Sequence, residues 1–488
     1  MNIRIRPAAD IINLSATNCT KTTSYPPSDL RDISHPRRGA VQICHKRQKK
    51  SDPSTINPDE SNIRCSNDQL PAEILHIIFK LCAARVTFPL RMRTPSTAVV
   101  LSQVCVIWRR VALTTTELWA DVEIVGSARQ DVIDNIVDQW LSRAGKLLMS
   151  VRWKYFKPGF NTPIHDLFFA DRLKEITLIQ RHLEVPQLLS MLSNAPLSQL
   201  KRLELTCYAE GRDTADIPLL CNHCPFPNLE FLMIYSWYDF FTAEHLSLPW
   251  GCLRHLEINI PMPFSEVMNG FREGSSLEKC TLYIYADDSD LMPQSDIHLP
   301  CLELLRVTVV DLDLGLLMRP LVLPNLRCLM IEGDDVIWNA TAYSFMSQRS
   351  KFNRLQKVCI GDLGRALVDV DQLLEASPTL SDLQVRTSHI RLTPEALTLL
   401  STGVLGPSLK RLDTTCFVSP GLVLTMLEAR LKHVEAGHSE QGQAITLLDD
   451  VSFKVTEDLD PYLRRIVALI VEGIEIKLHR VYPAGIIH

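Results

Sequence analysis

Glycine is scarce, 19 residues in a chain of 488, so loops that cradle phosphate with bare backbone have little material to form from. A dominant charge is missing too. The 51 Lys and Arg against 56 Asp and Glu leave a net of -5, no field that recommends nucleic acid or an anionic membrane as the main partner. Long apolar runs are also absent: the stretch from Ile466 to Ile476 is broken by Glu472, and it falls well short of the roughly 20 residues a crossing helix needs. Arg4, Arg6 and Asp10 interrupt the apolar groups at the start, so no secretory signal is expected and Asn339-Ala340-Thr341 reads as a chance glycosylation match. The 14 cysteines are too sparse for a disulfide scaffold, and several, such as Cys105, Cys280, Cys301 and Cys328, sit in apolar segments. Free thiols in a reducing compartment, cytoplasmic or nuclear, are expected.

Catalytic signatures are missing as well. The chain has no Gly-x-Ser-x-Gly, Walker loop or His-Glu-x-x-His, and its histidines are scattered. Cys221 and Cys224 form a lone Cys-x-x-Cys ahead of a strand, without the second pair that zinc coordination wants. No catalytic residue, metal site or cofactor is therefore assigned, and the expectation is a binding protein rather than an enzyme.

What is present divides the chain. Residues 1–67 are polar and proline-rich, and the first 69 residues hold 11 Lys and Arg against 7 Asp and Glu, which reads as a disordered basic arm. Its cluster Lys46-Arg47-Gln48-Lys49-Lys50 suits an acidic receptor groove or a phosphate backbone, or is a solvated tail. From Leu70 the texture becomes apolar at helical spacing. Pro71 fits a first turn, Ile74, Leu75, Ile78 and Phe79 make one apolar face, and a second helix is expected from Thr97 to Leu113 with Val100, Val104, Trp108 and Val111 on one stripe. Arg85 to Pro95 reads as a loop, and residues 125–164 as a linking helix/strand segment.

Beyond residue 165 the motif Leu-x-x-Leu-x-Leu, with other aliphatics allowed, recurs at Leu173, Leu200, Leu229, Leu253, Leu277, Leu302, Leu326, Leu355, Leu380 and Leu409, at intervals of 24 to 29 residues. One period-2 strand and one helix or irregular arc per interval is the pattern of a leucine-rich-repeat solenoid. The fold expected over residues 165–418 is therefore α/β, a solenoid with a parallel sheet on its concave face and helices or arcs outside. Residues 419–488, with helices from Pro420 to Lys432 and around Tyr462 to Val471, read as a terminal cap.

Taken with these repeats, Leu70-Pro71-x-Glu73-Ile74-Leu75 with Ile78-Phe79, then Val104-Cys105-x-x-Trp108-Arg109-x-Val111-Ala112 and Leu118-Trp119, resembles the F-box motif. In particular it looks like the F-box-like domain of the large fungal families, here a small all-α unit over residues 68–124. The stretch from Cys82 to Val100 is longer and more basic than that pattern. The resemblance implies a substrate receptor of a Skp, cullin and F-box ubiquitin ligase. It would meet the Skp-family adaptor, and through it the cullin scaffold, with Leu70, Pro71, Ile74, Leu75, Ile78, Val104, Trp108 and Arg109. The side chains of Phe79, Val104, Trp108 and Trp119 also read as internal core of a helical hairpin.

Non-leucine strand positions face away from the leucines. Read across the copies, Phe231, Met233, Tyr235, Tyr283, Leu304, Arg306 and Met330, with Trp237 on a following loop, form the expected protein-substrate surface, unless the strands rotate and turn the aromatics inward. Two other readings stay open: a leucine-rich-repeat scaffold without ligase association, and a nuclear, nucleic-acid-associated factor using the basic arm.

Overall fold

The computed structural model describes residues 70–83, 85–88, 96–125, 140, 142–154, 170–180, 192, 197–207, 226–236, 248–287, 295–437 and 444–481. The basic arm, Cys221 and Cys224, and Trp237 lie outside them. All that follows belongs to the unit spanning residues 65–488.

Three short helices open it: α1 (Ala72–Leu81), α2 (Thr97–Val104) and α3 (Val106–Thr114). Pro71 is the N-cap of α1 rather than part of its first turn, and its carbonyl accepts from Ile74 and Leu75 N–H. The single helix expected from Thr97 to Leu113 is two, because Cys105 is extended (φ -154°, ψ 175°) between them. Its Sγ then accepts from Trp108 N–H at 3.4 Å and caps α3, as Ser96 caps α2. The helices bury Leu75, Phe79, Ala98, Leu101, Val111 and Ala112, with Leu118 and Trp119 from the short 3-10 turn Thr116–Trp119. Buried Thr115 binds both Val111 O and His76 Nδ1, and Trp119 Nε1 donates to Ala112 O at 2.9 Å, which pins that turn beneath α1 and α3.

The rest is α/β, built on one large parallel sheet. In chain order come β1 (Val86–Phe88), β2 (Asp121–Val125), β3 (Met149–Lys154), β4 (Leu173–Gln180), β5 (Arg202–Cys207), β6 (Phe231–Ser236) and β7 (His255–Pro263). They are followed by β8 (Lys279–Tyr285), β9 (Ile297–His298), β10 (Leu304–Val310), β11 (Leu321–Val322), β12 (Cys328–Asp334) and β13 (Lys357–Ile360). The last are β14 (Val368–Asp369), β15 (Asp382–Val385), β16 (Ile390–Arg391), β17 (Arg411–Phe417), β18 (Asp450–Val455) and β19 (Glu475–Arg480). Fifteen of these join in strict sequence order, while β9 with β11 and β14 with β16 form small side ladders.

Register aligns the repeats. Val122, Val151, Ile176, Leu203, Leu232, Leu256, Cys280, Leu305, Leu329, Val358, Leu383, Leu412, Val451 and Ile476 occupy one row across fourteen strands. All are buried except Ile476, which packs against the core from the last strand. The leading leucines form a second row, with Leu173, Leu200, Leu229, Leu253, Leu277, Leu302, Leu326, Leu355, Leu380 and Leu409 all buried. A buried aliphatic side chain contributes about 1.5–3 kcal/mol, so the period is maintained by the core. A backbone ladder runs beside it: Glu230 N–H donates to Lys201 O, Arg254 to Glu230, Glu278 to Arg254, Glu303 to Glu278 and Arg327 to Glu303. It continues through Gln356, Ser381, Lys410 and Asp449 to Glu475.

The helices α4 (Phe264–Glu273), α5 (Leu314–Met318), α6 (Ala340–Ser350), α7 (Val370–Glu375) and α8 (Pro394–Ser401) bury apolar side chains in the same core as the leucine rows. Asn339 caps α6, its side chain accepting from Ala342 N–H at 3.0 Å, so the glycosylation-like triplet begins a helix. Three segments outside the leucine repeats contribute strands. Arg85 to Pro95 contains a strand, β1; the segment 125–164 contributes β3; and residues 419–488 add β18 and β19 to the sheet as well as α9 (Pro420–Glu435) and α10 (Leu463–Val471). On α10, Leu469 is buried and Ile466 packs against the core, while Leu463 and Val467 are exposed.

Candidate functional site

Two surfaces collect the side chains singled out in the sequence. The first is the outer side of the three helices. Their interior is satisfied by Leu75 and Phe79 from α1, four residues apart on one side of that helix, with Trp108 against Phe79 at 5.1 Å between ring centroids. The other side of α1 is apolar too. Leu70, Ile74, Ile77, Ile78 and Leu81 are exposed, Leu81 at 82%. On α2 and α3 the same holds for Val100, Val104, Val106 (70% exposed), Ile107 and Leu113.

Leu70, Pro71, Ile74, Ile78 and Val104 therefore lie at the surface, as a docking role requires. Leu75 does not: it is fully buried, because α1 needs it beside Phe79 to hold the helices together, and it is corrected from a surface contact to a core residue. Trp108 is half-buried, and exposed Arg109 donates from Nε to Ser102 O at 2.8 Å, bracing the break between α2 and α3. Val104, read also as core, is exposed. Ile77, Leu81, Val106 and Ile107 were missed; the signal was there, since α1 is apolar around most of its circumference.

Lys80 Nζ meets Glu117 at 2.8 Å and ties α1 to the 3-10 turn. The hydrogen bond from Lys80 holds the Glu117 carboxyl below its ordinary value.

The second surface is the sheet face opposite the leucines, where alternate residues are half-buried or exposed. Phe231, Met233 and Tyr235 on β6, Tyr283 on β8, Leu304 and Arg306 on β10 and Met330 on β12 all point there. They are not brought into one apolar patch. β7 lies between β6 and β8, so His255 stands beside Phe231 and Glu257 beside Met233. The Arg202 guanidinium lies 3.5 Å from the Phe231 ring centroid, and His255 meets the ring edge-on at 5.9 Å. Arg306 pairs with Glu332 at 2.9 Å, and Glu332 also accepts from Thr308. A bulge in β7 sets Pro261, rather than Asn259, opposite Tyr283. Asn259 instead accepts from Ser236 N–H and donates to Ser236 O, extending the β6 to β7 pairing by side chain.

Toward β19 the same face is an ion-pair lattice. Asp382 meets Lys357 and Arg411, Asp450 meets Arg411 and Lys477, and Arg386 pairs with Asp413. The Asp413 hydrogen bonds hold Arg386 above its ordinary value. Toward β1, Arg85, Asp121, Ser150, Val151, Arg152, Glu175, Thr177, Arg202 and Glu204 line a pit of about 240 Å³. The Asp121 hydrogen bond raises Arg85 likewise.

Cysteines Cys328 and Cys359 sit on neighbouring strands, and burial pushes both thiols up, away from the thiolate form that reacts. The nine described cysteines are free thiols. Among the described residues no three His, Cys, Asp or Glu side chains converge as a metal set, and no helix is long and apolar enough to cross a membrane. No family model matches the chain, and no curated protein matches it in sequence.

Proposed function

We propose that the chain is the substrate-recognition subunit of a Skp, cullin and F-box ubiquitin ligase, a nonenzymatic protein of the cytoplasm or nucleus. In this reading the three helices form an F-box-like domain. The in-register strands form a leucine-rich-repeat solenoid whose open sheet face is concave and binds a protein substrate. One observation carries the reading: ten large apolar side chains from Leu70 to Leu113 are exposed on three short helices whose own core is already filled. So many exposed apolar side chains on so small a unit are costly in water and suit a protein contact. Its composition, aliphatic anchors with Arg109 and Arg110 at hand, is that of a helical docking face.

The adaptor would meet Leu70 and Pro71 ahead of α1, Ile74, Ile77 and Ile78 on it, and Val104, Val106 and Ile107 from the α2–α3 break. Bound there, the chain would act by proximity, holding substrate lysines near a conjugating enzyme carried by the cullin. Co-expression with a Skp-family adaptor tests this. Wild type should elute with the adaptor as one complex, and the double variant Ile74→Asp/Ile77→Asp should elute alone while keeping its thermal stability. A wild-type chain that never associates with the adaptor overturns the reading.

A further inference from the structure

The middle of the open sheet face carries two exposed charges of opposite sign, Glu257 on β7 and Lys279 on β8. Among the described residues neither has a hydrogen-bond, ion-pair or ring partner. The neighbouring charges of the face are engaged. Arg202 pairs with Glu204 on the β1 side, Arg306 with Glu332 on the β19 side, and His255 between them meets Glu278 at 3.4 Å. Glu257 stands between Met233 on β6 and Thr281 on β8, and Lys279 between His255 on β7 and Leu304 on β10. Register therefore places the carboxylate one strand away from the ammonium and two residues further along, a separation of about 8 Å from strand spacing and rise. Two residues beyond Met233 and Thr281, half-buried on the same face, are Tyr235 and Tyr283.

We propose that Glu257 and Lys279 together recognise an extended segment of the protein substrate that carries one cationic and one anionic side chain, the cation against Glu257 and the anion against Lys279. This rests on reading the open sheet face as the recognition surface, and it states what kind of substrate that face selects. The signs follow from what is left unpaired. Because the two charges cancel, a segment of a single sign gains at one of them and is repelled at the other, so neither a polyacidic nor a polybasic stretch fits. The spacing follows from the register. Side chains two residues apart on an extended chain lie on one side of it and are separated by about 7 Å, which matches the two groups, whereas adjacent side chains point to opposite sides. The cationic end lies toward Tyr235 and Tyr283, whose ring faces favour an ammonium or guanidinium. The anionic end lies toward Leu304 and the edge from which the strands start.

The test is selection of a displayed library of random decapeptides on the full chain, with the affinity of the enriched peptides then measured by fluorescence polarisation. Wild type should enrich peptides in which a Lys or Arg and an Asp or Glu are separated by one residue. Against such a peptide, Glu257→Gln and Lys279→Gln should each weaken binding by about fivefold, the upper end for an exposed ion pair. Both positions are exposed, so unfolding of the variants should match wild type. Replacing the peptide's cation by Gln should cost wild type the same factor and cost Glu257→Gln nothing further, and its anion should behave likewise toward Lys279→Gln, since each cycle isolates one pair. No enriched peptide, enrichment of one sign alone, or a peptide charge whose removal costs wild type and the matching variant equally overturns the proposal. Adaptor binding is scored on the same preparations, so failure of the ligase reading and failure of this charge pair register separately.

Discussion

Arg430, on α9, is fully buried and has no carboxylate partner. Its Nε donates to Thr446 O at 2.9 Å, Nη1 to Leu400 O at 2.6 Å and Nη2 to Gly406 O at 2.8 Å, with Pro407 O and Leu409 O at 3.3 and 3.4 Å. One side chain thus gathers the end of α8, the turn before β17 and the segment before β18. Gly403 and Gly406 in that turn have φ of +70° and +55°, a left-handed conformation that glycine adopts without strain. Arg430→Met keeps length and apolar stem and removes every donor. Orphaning three well-bonded carbonyls costs about 1–3 kcal/mol each. Relief from burying the charge returns part of this: burial pulls the guanidinium down to about 10, leaving it cationic at neutral pH but at some cost. The balance is a loss of about 3–5 kcal/mol, as for other buried charges whose partners are stranded. Urea unfolding should show the drop, with amide exchange accelerating first in residues 400–409 and in β18. Arg430→Lys, which keeps the charge but not the fork, should recover only part. A Met variant within about 1 kcal/mol of wild type, the scale of an ordinary point mutant, would refute the assignment of this guanidinium as the clamp between those segments.

Three further outcomes follow from close contacts elsewhere. Gly333→Ala puts a Cβ 2.0 Å from Val309 O and 2.9 Å from its carbonyl carbon; it should cost about 1–3 kcal/mol or more by calorimetry, because backbone rather than a movable side chain is in the way. Leu232→Ala, in the middle of the aliphatic row, should cost about 2–5 kcal/mol by the same measurement. Glu428 receives Arg465 at 2.7 and 2.8 Å, which holds its carboxyl below the ordinary value of 4.5. A folded value depressed in this way contributes stability above the unfolded value and loses it as pH falls through the folded one. Amide protection of α10 should therefore drop in acid below that pH, modestly since the pair is partly exposed, and Glu428→Gln should lack the step.

The aliphatic rows were legible because burial acts at every second residue of each strand and leucine fills most of those places. Where other apolar residues fill them the pattern faded. Val122 and Ile124, Val151 and Trp153, Val451 and Phe453, and Ile476 and Leu478 carry β2, β3, β18 and β19 without the leucine spelling. The break at Cys105 had no Gly or Pro to announce it; a thiol caps the new helix instead. On α1 the sequence showed four apolar residues as one face, whereas Leu75 and Phe79 turn inward and Ile74 and Ile78 outward, since a helix apolar on two sides serves two contacts. The pit was hidden because it depends on the register of β2 to β5 and on Arg85, which precedes β1 in a stretch that reads as loop.

The most direct test of the central claim is calorimetric titration of a purified Skp-family adaptor into the chain, wild type against Ile77→Asp. Ile77 is 54% exposed, so the substitution should leave unfolding unchanged within about 0.5 kcal/mol. The helical docking face predicts saturable one-to-one binding by wild type and an affinity at least about 30-fold weaker for the variant, the loss of one anchor worth about 2 kcal/mol. No heat of binding from wild type, or equal affinity for both proteins, would contradict it.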